Sequence, residues 1–131
     1  MEAKTTLVNV KVAHIRPQYD NLKEWCEDEN NVYIARKGVV FVPDEKSGKV
    51  RYPPSDSTWA NPFKLPKGKD TDADRAVVSN QYEEYTRERL ANEPRLVDEL
   101  LALRGKNLGC WCTPKTCHGE VLLILLEEYS T

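Results

Sequence analysis

Three of the four cysteines and one of the two histidines fall within nine residues, in the run Leu108-Gly-Cys-Trp-Cys-Thr-Pro-Lys-Thr-Cys-His-Gly-Glu120. Thiolates and imidazole are soft donors that serve either as metal ligands or as nucleophile and base. Cys110, Cys112, Cys117 and His118 have the content of a Cys3His zinc site. Their Cys-x-Cys-x4-Cys-His spacing departs from the usual Cys-x2-Cys, and neighbours such as Cys117 and His118 splay apart on a helix. In a second reading Cys117 and His118 open a helix, whose unpaired amides attract anions and lower the pKa of a nearby thiol. Cys110 or Cys117 would then be the nucleophile and His118 the base. In a third, Cys110 and Cys112 are small core residues and Cys117-His118 is a structural helix entry.

A second group lies in Ser57-Thr-Trp-Ala-Asn-Pro-Phe63. Trp59 could stack on a base, Asn61 could pair with a base edge, and Ser57 could reach phosphate. Arg36 ends an apolar run and Arg75 opens a helical pattern, so both could hold an anion, with Lys64 at the rim. The competing reading makes Trp59 and Phe63 anchors of a long loop, with Asn61 capping a turn before Pro62. His14 and Cys26 are read as structural.

The elements that must position these groups follow from periodicity. Leu7 to Ile15 alternates apolar and polar residues as a strand does. Leu22, Trp25 and Cys26 mark a short helix between Tyr19 and Glu29. Val32 to Arg36 and Val39 to Val42 are β-type runs, and Val50 to Tyr52 returns as a hairpin after the polar turn 44–49. Residues 53–69 hold four of the eight prolines and read as a loop. Asp72 to Leu90 reads as a helix capped by Asp72 or Asp74, and Arg95 to Leu103 as a second. Asn107 to Cys112 is expected as a strand, with Cys110 and Cys112 on one face and Trp111 on the other. Cys117 to Tyr129 is the closing helix. This order predicts a single α/β domain over residues 1–131, three-layered and Rossmann-like, with a mixed sheet. Its cleft should lie between the Trp59 loop and the Cys117 helix start.

The 131 residues carry 19 Lys and Arg against 21 Asp and Glu, a net charge of -2. No basic excess marks a generic duplex-binding surface. The longest apolar run, 121–126, is too short to span a membrane, and the first residues do not read as a signal peptide. The expected compartment is therefore reducing and cytoplasmic, with thiols rather than disulfides.

Two long motifs resemble the domain of unknown function 4326 family. They are Ser57 to Phe63 and Leu103-Arg-Gly-Lys106 through Gly119, joined by Tyr33-Ile-Ala-Arg36 and Asp74-Arg75. The resemblance spans roughly Val32 to Leu126. Ala35 and Ala60 stand where the pattern more often has glycine. The family occurs in viruses, phages, bacteria and some eukaryotes, and the resemblance implies no defined activity. The ending is also similar to that of a second uncharacterised α/β family, which closes on Cys-His-Arg and tends to be acidic at the position of Cys112. That outline favours a ligand site over obligatory zinc.

The expected function is recognition of a nucleotide, nucleoside or exposed nucleic-acid base, with thiol- or metal-assisted chemistry on it as an extension. Trp59 would stack, Asn61 read an edge, Arg36 and Arg75 hold phosphate, and the amides of Cys117 and His118 cradle an anion. The alternatives are a small zinc-stabilised binding module without catalysis and a viral or phage protein that sequesters a small nucleotide. No phosphate loop, glycine fingerprint or His-x-Glu deaminase signature assigns an enzyme class.

Overall fold

A computed structural model of the protein describes residues 4–65, 67–68, 71–111 and 118–130. The elements run β1 (Thr6–Asn9), α1 (Val12–Ile15), α2 (Leu22–Glu27), β2 (Asn31–Tyr33), β3 (Val40–Asp44), β4 (Gly48–Tyr52), α3 (Asp72–Asn92), α4 (Pro94–Leu101), β5 (Asn107–Cys110) and α5 (His118–Tyr129). The fold is α/β.

β5 is the middle strand of a parallel sheet ordered β1-β5-β2, with Leu7 opposite Leu108 and Val32 opposite the same residue. The two-residue period splits each strand between two cores. Leu7, Val32, Ile34, Leu108 and Cys110 face a cluster built with Tyr82 and Leu90 of α3, Leu96 and Leu100 of α4, and Val121, Leu122, Leu125 and Leu126 of α5. Val8, Tyr33 and Trp111 face the other way, onto Val10, Ile15, Leu22 and Trp25. Helices thus cover both faces, as a short parallel sheet requires.

Two glycines allow this close packing. A Cβ on Gly109 would lie 2.5 Å from the Trp25 ring, and one on Gly119 would lie 2.6 Å from Leu7. Trp25 can therefore rest on the centre of β5. The first turn of α5 can settle on β1 and on Ile34.

The expected mixed sheet is instead two sheets. β3 and β4 pair only with each other among the described residues, antiparallel, with Val42 opposite Val50. Gly38, at φ 64°, turns the chain out of β2, and Gly38 N and Val39 N donate to the carbonyls of Pro53 and Tyr52, which closes the base of the hairpin.

The first expected strand is also shorter. Asn9 Oδ1 accepts from Lys11 N at 3.0 Å, a local turn that ends β1 and lets Val12–Ile15 form a helical turn. Val10 N still donates to Cys110 O. In α3 the cap is Thr71, whose side chain accepts from Asp74 N while Asp74 returns the bond. Arg87 of α3 ties Glu83 and, at 2.7 Å, Glu128 of α5.

Candidate functional site

The carboxyl ends of β2 and β5, the start of α5, the first turns of α3 and residues 61–65 of the loop enclose a cleft of about 430 Å³. Ligands of open α/β sheets bind at this edge. The lining comprises Ala35, Arg36, Val39, Asn61, Phe63, Lys64, Leu65, Arg75, Val78, Ser79, Trp111 and His118. Three are cations, and none of these residues is a carboxylate. The chain as a whole is slightly acidic. The cleft is therefore a local positive field with apolar and aromatic walls.

Arg36 leaves β2 and reaches across to the loop. Its Nε and Nη2 both donate to Asn61 O, at 2.9 and 2.6 Å, and Nη2 also donates to Phe63 O at 3.3 Å. One edge of the guanidinium is thus spent on holding the loop, a fork geometry that lysine cannot reproduce. Asn61 Oδ1 accepts from Phe63 N at 2.9 Å, which tightens the turn around Pro62. Asn61 Nδ2 has no partner among the described residues.

Arg75 stands one turn into α3. Val78 and Ser79 follow at i+3 and i+4, so all three share the helix face that lines the cleft. Arg75 was expected at the cleft, whereas Val78 and Ser79 were not. The signal was a serine placed one turn beyond Arg75 in an otherwise apolar stripe.

Trp59 is not in the cleft. It is 3% exposed and packs in the main core, and its carbonyl accepts from the buried Tyr82 hydroxyl at 2.8 Å. The base-stacking role expected of it gives way to loop anchoring, because so large an apolar surface is better buried than left at a wall. The aromatic walls are Phe63 and Trp111. Trp111 Nε1 donates to Tyr33 Oη at 2.8 Å, and Tyr33 Oη donates to Arg36 O at 2.7 Å. This chain fixes the indole orientation and ties it to the arginine backbone.

Ser57 lies outside this cleft. Its Oγ accepts from Trp59 N at 3.1 Å, and its own N–H donates to Ala35 O. It lines a second concavity of about 300 Å³ that shares Arg36 and Asn61 with the first.

His118 opens α5 and lines the cleft. Its Nε2 lies 2.7 Å from Ile34 O, and a carbonyl can only accept, so Nε2 carries the proton. Burial pushes the imidazole pKa below its ordinary value, and the Arg36 charge adds to this against the Ile34 bond. The ring is held neutral, packed edge-on to Tyr82 at 5.0 Å between centroids. A base or ligand role would fall to Nδ1.

Cys110 is fully buried in the main core. Cys112 and Cys117, and with them the amide cradle at Cys117 and the complete four-ligand metal set, lie outside the described residues. Among the described residues no three His, Cys, Asp or Glu side chains come together. Cys26 is half-buried, and desolvation raises its thiol to about 11, which makes it unreactive. No described helix is long and apolar enough to cross a membrane.

The molecule is an α/β protein with a positively lined cleft at the carboxyl edge of a parallel sheet. A family model described as "Domain of unknown function (DUF4326)" matches residues 18–128, and the chain belongs to that family. No curated protein and no solved structure matches it.

Proposed function

We propose that the cleft binds a nucleotide. The observation that carries this reading is the convergence of Arg36, Lys64 and Arg75 on walls made by Phe63, Trp111, Val39 and Val78, with no carboxylate in the described lining. Cations gathered in a lining that holds no carboxylate suit an anion, and flat apolar walls suit a ring. About 430 Å³ lies at the small end of ligand cavities, a size for one nucleotide rather than a long polymer. The parallel order β1-β5-β2, covered by helices on both faces, supports reading the domain as Rossmann-like, and the cleft occupies the edge where such domains take ligands.

In this reading Arg75 and Lys64 contact phosphate, and Arg36 contributes charge while holding the loop. Phe63 or Trp111 meets the base, and Asn61 Nδ2 or the Ser79 hydroxyl reads its edge. His118 stays neutral in the wall, its Nε2 held by Ile34 O. Isothermal titration with nucleoside mono- and diphosphates of each base tests the proposal. Arg75→Ala should weaken binding about tenfold or more in a variant that still folds, the scale of a lost charge-assisted contact. Absence of binding across the panel, or indifference to Arg75→Ala, would refute it.

A further inference from the structure

The second concavity differs from the first in charge. Its wall contains Asp56, Ser57, Thr58, Asn61, Tyr85 and Arg89, and it meets the nucleotide cleft at Arg36 and Asn61, which line both. Here the cations are countered. Arg89 Nη1 donates to Thr58 O at 3.0 Å, its guanidinium lies over the Tyr85 ring at 5.3 Å, and its Nε is 3.8 Å from Glu93. Asp56 is oriented by Lys37 N, which donates to Oδ1 at 2.8 Å. Asp56 Oδ2 has no hydrogen bond among the described residues. A free phosphate would meet this carboxylate and be repelled. A neutral group rich in hydroxyls would donate to it, as ribose hydroxyls donate to an acidic side chain in dinucleotide sites.

Resting on the nucleotide reading, we infer that the second concavity is a sugar subsite, so that the ligand is a nucleoside diphosphate bearing a second sugar. The nucleotide occupies the larger cleft, the diphosphate passes Arg36, and the second sugar places a hydroxyl pair on Asp56. The shared wall fits this arrangement: one residue that carries positive charge separates a cationic cleft from a charge-balanced polar one.

Calorimetry with ADP, ADP-ribose, UDP and UDP-glucose separates the two readings, since each pair differs by the added sugar and by the one phosphate charge that its ester removes, a loss that works against tighter binding in a cationic cleft. The sugar-bearing member of at least one pair should bind about tenfold more tightly than its parent diphosphate. Asp56→Asn preserves an oxygen for Lys37 N but replaces the second acceptor with a donor. It should abolish the gain and leave ADP and UDP binding unchanged. Arg75→Ala should weaken all ligands together. Equal affinity within both pairs, or a gain that survives Asp56→Asn, overturns the subsite and leaves the nucleotide cleft standing. Failure of all four ligands to bind overturns both.

Discussion

Arg36 and Arg75 look alike in the sequence, and the structure gives them different work. Arg36 grips two loop carbonyls with one edge of its guanidinium, whereas Arg75 presents its charge from a helix face. Arg36→Lys keeps the charge and loses the fork, so it should weaken nucleotide binding more than Arg75→Lys and speed limited proteolysis between residues 53 and 65. Titration and digestion of the two variants side by side would show this. His118 supplies a pH dependence. Its folded pKa lies below the ordinary 6.5, so the unfolded chain takes up a proton that the folded chain refuses. This destabilisation is absent above pH 6.5 and grows as pH falls below it, until the folded imidazole titrates as well. Asp28 and Asp44 are held below their ordinary 3.8 by hydrogen bonds from Tyr19 and Ser47, so their stabilisation is lost only at more acid pH. Melting temperatures between pH 8 and 5 should therefore fall in the wild type and flatten in His118→Gln, which keeps a donor for Ile34. The residue types at the cleft were legible because arginine, lysine and asparagine cluster around aromatics. The fate of Trp59 was not, since a tryptophan serves equally as wall or as anchor and only packing decides.

At the scale of elements, the helices were the most legible. The Thr71–Asp74 capping box of α3, the proline at the start of α4 and the apolar face of α5 each mark their helix. The strands were less so. β1 stops at Asn9 because its side chain takes the Lys11 amide, and a period-two pattern does not register that competition. The separation of the β3–β4 hairpin from the parallel sheet is a tertiary choice set at Gly38, beyond the reach of local alternation. Gly109 and Gly119 carry the clearest consequence. Each stands where an added methyl would overlap a packed side chain at under 3 Å. Gly109→Ala and Gly119→Ala should each cost about 1–3 kcal/mol in urea unfolding, the scale of overpacking in a dense core. Gly119→Ala should also weaken ligand binding, because it lifts the turn that carries His118.

For the whole molecule, the electrostatics are local rather than global. A chain with net charge -2 focuses three cations in one concavity. Nucleotide binding should weaken several-fold as salt rises from about 0.05 to 0.5 M, over which the screening length shrinks from roughly 14 to 4 Å. Thermal stability, which rests on the two apolar cores, should hold or rise over the same range. A titration series at fixed pH, paired with melting curves, would separate the two effects.

The central place of β5 also shapes how the chain must come together during synthesis. β1 and β2 do not bond to each other, and both wait for a strand near the other end of the sequence. Thr6 finds its partner Asn107 across 101 residues. A ribosome delivers both outer strands long before the strand that joins them, so their open edges await a partner while α3 and α4 are still being made. Such long-range closure slows folding and leaves nascent strands exposed to holding factors. The last strand to emerge is the one that turns two separate edges into a sheet.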